Sequence, residues 1–167
     1  MIMLQQILVA TDFSEPSNAA LAYGRELARN FSATLQLLHV VDDLGARLMD
    51  ASAYPELDRL QSEAEATALI RLKSLLTEED RQILHARAFV LTSSSPAETI
   101  TSYARDAMPR IGIIVMGTHG RGVRAHLVLG SVAEKVVRSA PCPVLTVRHP
   151  QHEFVLPDAL VEQRART

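Results

Sequence analysis

Five short apolar runs punctuate the chain, and between them the apolar positions fall at three- and four-residue steps. Residues 7–10, Ile-Leu-Val-Ala, are continuously apolar and stop at Thr11-Asp12, the pattern of a strand buried on both faces of a sheet. Ser14 then stands as an N-cap, with Glu15 and Pro16 in the first turn of a helix carried by Ala20, Tyr23, Leu27 and Phe31. Residues 35–41 predict a second strand, and the polar residues 42–55 a loop with room for a short helical turn. Over residues 56–76 the positions Leu57, Leu60, Ala64, Ala68, Leu72 and Leu75 keep a helical step without Gly or Pro, which predicts a long helix. Residues 83–92 predict a third strand. Pro96 opens the next helix through Ile100, Ala104 and Ala107, and Pro109 stops it before a fourth strand at 111–116. A helix at 131–139 and a strand at 144–147 complete the pattern, and no internal repeat is present.

Strands alternating with helices predict a parallel, doubly wound α/β sheet of five strands, because right-handed crossovers lay helices on both faces. With the first strand central and the chain winding one way and then the other, the strand order is 3-2-1-4-5. The switch point then lies between the first and fourth strands, and ligands bind there at the carboxyl ends of the strands. The two informative strand ends in the sequence are those same two, Ala10-Thr11-Asp12 and the stretch from Gly117 onward. Residues 1–148 are expected to form one domain, at a length that can enclose a real core. Residues 149–167 are read as a C-terminal tail, with some apolar character in Phe154-Val155-Leu156 and Ala159-Leu160-Val161.

Chemistry concentrates after the fourth strand. Gly117, Gly120 and Gly122 fall within six residues, and Gly130-Ser131 opens the helical pattern Val132, Val136, Val137. Glycines let a backbone approach a ligand, and a helix N-terminus offers unpaired N–H groups and partial positive charge, so the stretch suits an anion, most often a phosphate. No Gly-Lys-Ser/Thr occurs, which excludes a P-loop. Gly120-x-Gly122-x-x-Ala125 satisfies a relaxed dinucleotide pattern, but it follows the fourth strand and no acidic residue ends a strand about 20 residues later, so it is read as coincidence. The nine residues between Gly120 and Gly130 exceed the usual βα loop of about 2–6, which argues against a merely tight connection.

The spacing Gly117-x2-Gly120-x9-Gly130-Ser131 resembles the motif that marks ATP-binding members of the universal stress protein family, with every fixed position matched. The likeness covers about residues 3–148, through Ile7-Leu8-Val9-Ala10-Thr11-Asp12-x-Ser14, His39-Val40-Val41, Val115-Met116-Gly117-Thr118-His119-Gly120-Arg121-Gly122, and Gly130-Ser131-Val132-Ala133-Glu134-Lys135-Val136 through Pro141-Cys142-Pro143-Val144. Two departures are visible: Gly112 where the family usually has Asp, and Ser94 or Ser95 where a Gly commonly precedes the helix-opening Pro. The resemblance implies a Rossmann-like, adenine nucleotide alpha hydrolase-like fold and ATP as the ligand, with or without Mg²⁺. It implies that Asp12 and the backbone near Ala10 and Val40 face adenine and ribose, that Gly117 and Gly120 allow close approach beside the ribose and α-phosphate, that Gly130, Ser131 and Val132 hold the β- and γ-phosphates, and that Met116 belongs to the same nucleotide site. Arg121 and Arg124 either offset phosphate charge or are solvated loop residues, and both readings stand.

Charge and composition narrow the partners. A net charge of −2, a pI near 6.3 and 4% aromatic residues supply neither the basic field nor the stacking platform of a nucleic-acid-binding protein. The single cysteine, Cys142, forms no internal disulfide. Met1-Ile2-Met3-Leu4 lacks a basic leader and Gln5-Gln6 interrupts any membrane span, so a cytoplasmic protein with no membrane partner is expected. His119 and His126 have no carboxylate or second histidine at helical ligand spacing, and Asp42 and Asp43 either reach a Mg²⁺ or form a solvated strand exit, the latter being commoner; no residue is assigned as a metal ligand. No residue is assigned as catalytic either, since no base is placed to direct water and there is no Walker-type lysine. The expected function is a nucleotide-dependent stress-response module with an unidentified regulatory partner; the alternative is a slow ATPase or phosphoryl or nucleotidyl transferase using the same crevice. The last strand, Val144-Leu145-Thr146-Val147, is an uncharged, proline-free sheet edge, which predicts a homodimer through strand pairing, as in the resembled family.

Overall fold

Strand β1 (Gln6–Ala10) is buried at every position in the computed structural model, as a continuous apolar run requires of a central parallel strand. The structure describes residues 2–47, 54–118 and 129–148. After β1 come α1 (Glu15–Phe31), β2 (Thr34–Val41), a 3₁₀ turn (Gly45–Arg47), α2 (Tyr54–Leu75), α3 (Glu78–Gln82), β3 (Arg87–Thr92), α4 (Pro96–Asp106), β4 (Ile111–Gly117), α5 (Ser131–Ser139) and β5 (Val144–Val147). All strand pairs are parallel and the order is β3-β2-β1-β4-β5, the expected one. The expected tail, 149–167, lies outside the described residues.

The sheet's two faces carry separate cores, because successive side chains on a strand point to opposite sides. Ile7, Val9, Leu35, Leu37 and Val115 meet Ala20, Leu21 and Ala28 of α1 and Leu72 of α2. Leu8, Ala10, Leu38, Ile114 and Met116 meet Ile100 and Ala104 of α4 and Ala133 and Val136 of α5. This is the doubly wound arrangement read from the sequence, and it leaves the carboxyl ends of β1 and β4 side by side, with Ala10 opposite Met116.

One expectation is corrected. The third strand begins at Arg87 rather than Ile83, and a short helix, α3, precedes it. Thr77 and Asp80 form a capping box, each side chain accepting the other's backbone N–H, and this starts a helical turn that apolar counting missed. Ile83 is 64% exposed while Leu84 is buried, so the pair turns the chain into the core instead of extending the strand. The two departures from the family pattern are tolerated locally. A Cβ at Gly112 would come within 2.8 Å of Leu4 Cδ2, and Ser95, with φ −127°, adopts backbone open to any residue.

Candidate functional site

The end of β1 is held by its own side chains. Thr11 N–H extends the ladder to Leu38 O at 2.9 Å, and Thr11 Oγ1 accepts from Phe13 N–H at 3.0 Å. Asp12 Oδ1 accepts from Ser14 N–H at 3.1 Å and from Ser14 Oγ at 2.5 Å, so the carboxylate shapes the turn that delivers Ser14 to the N-cap of α1. Ser17, in the first turn of α1, donates its hydroxyl to Ser14 O at 2.8 Å and lies 2.9 Å from Thr11 Oγ1. Capping and lining the crevice are thus compatible roles for Asp12. From β2, His39 Nδ1 sits 2.7 Å from Thr11 O; a carbonyl only accepts, so Nδ1 carries the proton there.

Across the switch point, β4 ends in Gly117 and Thr118. Thr118 N–H donates to Val147 O at 2.9 Å, and Thr118 O accepts from Gly130 N–H at 2.7 Å, which brings the chain back beside its point of departure as α5 begins. Gly130 caps α5 with no side-chain hydrogen bond. Its own N–H is spent on Thr118, so the donors that α5 presents at its start are those of Ser131, Val132 and Ala133. Gly117 is required for a reason the sequence did not reveal: a Cβ there would lie 2.9 Å from Pro16 C and Cβ and 3.0 Å from Ser17 N. Its missing side chain lets α1 start against β4, and its backbone faces the cavity as a result.

Between these elements lies a cavity of about 350 Å³, within the size range of small-molecule sites. Of the residues singled out by sequence, Ala10, Asp12, Val40, Met116, Gly117, Gly130, Ser131 and Val132 all line it. Gly120 and Arg121, like Gly122, Arg124, His119 and His126, lie outside the described residues. Thr11, Ser17, His39, Pro96, Ile100 and Thr118 also line it and were not assigned. Thr11 and Thr118 were within reach of the strand-end reasoning, being the next residues on β1 and β4. Pro96 and Ile100 carried no such signal, since only the packing of α4 across the sheet brings them there.

The lining divides by chemistry. Leu38, Val40, Ile100 and Met116 form an apolar part, while Asp12, Ser17, Thr118, Ser131 and the start of α5 form a polar one. Among the described lining residues Asp12 is the one carboxylate, and none is Lys or Arg. Asp43 lies elsewhere, its Oδ1 accepting from Ala46 N–H at 3.0 Å to close the 3₁₀ turn. Among the described residues no helix is long and apolar enough to cross a membrane.

Comparison with known proteins adds the ancestry. The profile of the Universal stress protein family matches residues 3–148. A universal stress protein from Thermus aquaticus is 36% identical over 151 residues, covering 87% of this chain and 100% of the relative. Among solved structures, the universal stress protein UspA from Lactobacillus plantarum aligns with TM-score 0.73 at 27% identity, over 89% of this chain and 100% of the other. A universal stress protein from Archaeoglobus fulgidus in complex with dAMP shares the fold at TM-score 0.53 and 23% identity, over 88% and 99% of the two chains. With the family profile spanning the sheet and both walls of the crevice, this chain belongs to the universal stress protein family.

Proposed function

We propose that the chain binds ATP or a closely related adenine nucleotide in the β1/β4 crevice, and that occupancy of this site is the signal it passes to a partner in a stress response. The observation that carries the reading is the start of α5, where Ser131, Val132 and Ala133 present N–H groups to the cavity with no capping side chain among the described residues. The motif spacing, the cavity volume and the dAMP bound by the Archaeoglobus relative support it. In this reading Val40, Ile100 and Met116 enclose the base, Asp12 accepts from a ribose hydroxyl, and Gly117 and Gly120 leave room beside the sugar and first phosphate. The α5 amides and the Ser131 hydroxyl hold the distal phosphates, and Arg121 offsets their charge, alone or together with Mg²⁺.

The test is to extract the purified protein with acid and identify what co-purifies, then titrate it with ATP. An adenine nucleotide at near-stoichiometric occupancy, or micromolar ATP binding by the emptied protein, is the expected result. No nucleotide and no binding would leave an interaction module of another kind. Steady-state hydrolysis of about 1 s⁻¹ or more in the same preparation would move the reading from sensor to ATPase.

We also propose that the functional unit is a cytoplasmic homodimer joined through β5. Pro143 O accepts from Ile114 N–H and Val147 O from Thr118 N–H, so the alternation of a parallel ladder turns the N–H and C=O of Val144 and Thr146 away from β4. Val137 of α5, 48% exposed, adds apolar surface on α5. Thr146→Pro removes an outward donor without touching the pairing to β4, as an edge strand tolerates. The variant is expected to run as a folded monomer by light scattering after size exclusion. A monomeric wild-type protein at about 50 μM, or a folded Thr146→Pro dimer, would place the interface elsewhere.

A further inference from the structure

We infer that Arg71 of α2, acting through the ring of Phe13, is the positioning residue for the β1 side of the crevice, so that this wall is set from the protein surface. The inference rests on the nucleotide reading above for its consequence but not for its geometry. Phe13 has φ +65°, the left-handed region that a bulky side chain avoids. Such a conformation is disfavoured roughly 5- to 150-fold in population and persists only where the surroundings hold it.

Besides the core it packs against, two side chains from different elements hold the ring. On one side the Phe13 ring packs against His39, with centroids 4.4 Å apart and planes tilted by 47°. The Arg71 guanidinium carbon also lies over the Phe13 ring, 4.3 Å from its centroid, a cation–π contact. Neither Phe13 nor Arg71 lines the cavity, but their neighbours do: Thr11, Asp12 and His39 form its β1 and β2 side. The connections are short. Phe13 N–H donates to Thr11 Oγ1, Thr11 O holds His39 Nδ1, and the next residue, Ser14, donates twice to Asp12 Oδ1. Loosening the ring would therefore favour relaxation of Phe13 toward negative φ and shift the turn that places Thr11 and Asp12 on the cavity.

Relaxation of Phe13 away from its φ of +65° would give this wall the second arrangement that coupling between distant sites demands. Arg71 is exposed, and its neighbour Ile70 is 70% exposed, so the contact is reachable from solvent. By reciprocity, anything that draws Arg71 off the ring weakens ligand binding by the same factor by which the ligand weakens it.

The experiment uses Arg71→Gln, Arg71→Lys, Phe13→Leu and the double variant Arg71→Gln/Phe13→Leu. Hydrogen exchange on the nucleotide-free proteins follows the Phe13 and Ser14 amides. Titrations use adenosine, ATP and inorganic tripolyphosphate. Arg71→Gln is expected to speed exchange at Phe13 and Ser14 by roughly twofold to fivefold, the worth of an exposed cation–π contact, and to leave Val9 and Leu37 unchanged. It is expected to weaken adenosine and ATP by one common factor while sparing tripolyphosphate, a split that general destabilisation does not produce. Arg71→Lys is expected to restore part of the loss, and Arg71→Gln to add nothing to Phe13→Leu. Unchanged exchange at Phe13 and Ser14 in Arg71→Gln, or additive losses in the double variant, would overturn the inference. Faster exchange in a protein whose wild type binds neither adenosine nor ATP would support the clamp and remove the nucleotide reading instead.

Discussion

Gly130→Val is expected to weaken ATP binding by roughly a hundredfold while leaving a folded protein, the size of effect that forcing extra methyl groups into filled space produces. The separation of the two effects follows from the backbone. Gly130 has φ −61° and ψ 148°, a conformation any residue adopts, so valine brings no backbone strain. Glycine is a better N-cap than valine, but the difference costs the helix start only about 1 kcal/mol. The new side chain, by contrast, points from a residue that lines the cavity, at the edge of the three amides proposed to hold the phosphates. Ser131→Ala keeps the amide and removes only the hydroxyl, for which a loss of about 1–2 kcal/mol is expected, one charge-assisted hydrogen bond. Calorimetric titration of both variants is the measurement. Undiminished affinity in Gly130→Val would remove the phosphate site from this helix.

The largest effect on stability is expected from Arg25→Ala, at about 3 kcal/mol. Arg25 on α1 donates from Nε to both Asp80 oxygens at 2.9 and 3.0 Å, and from Nη2 to Asp80 Oδ2 at 2.8 Å and to Leu75 O at 2.6 Å. Asp80 is 1% exposed, so removing the guanidinium strands a carboxylate with backbone and hydroxyl partners alone, and breaking one side of a buried pair typically costs about 3–5 kcal/mol. The lower end applies because the Arg25 side chain is 21% exposed. In an Asp80→Asn background the same replacement is expected to cost less, since no bare charge remains.

The pair also fixes a pH dependence. Burial works to raise the Asp80 pKa, but the hydrogen bonds from Arg25 and Thr77 outweigh it, and the carboxyl stands below its ordinary value of 3.8. A group depressed in the folded state stabilises fully above its unfolded value, and that stability is lost as pH falls through the folded one. Denaturant unfolding of the wild type and Arg25→Ala is therefore expected to show a difference that is constant near neutrality and narrows as acid protonates Asp80, first in Arg25→Ala, where burial is less opposed, and below pH 3.8 in the wild type. A pH-independent difference would mean that the charge on Asp80 does not carry the effect.

The sequence by itself determined the strand order and the place of the crevice. Both follow from local properties: the continuous apolar runs at 7–10 and 111–116 identify central strands, alternation with helices forces right-handed crossovers, and reversal of winding puts two strand ends side by side. Eight of the ten assigned residues therefore line one cavity, and the other two lie outside the described residues. What the tertiary structure decided are contacts between residues distant along the chain. Arg25 and Asp80 meet across 55 positions, and their pairing anchors the short helix that displaced the start of β3. Gly117 is set by the first turn of α1, Ile100 reaches the cavity only because α4 folds back over the sheet, and the Phe13 turn is held by a ring contact from α2. Periodicity records which face of an element is buried, because burial repeats with the geometry of the element itself. It carries no record of which distant side chain arrives on that face, and the details of this site are arrivals of that kind.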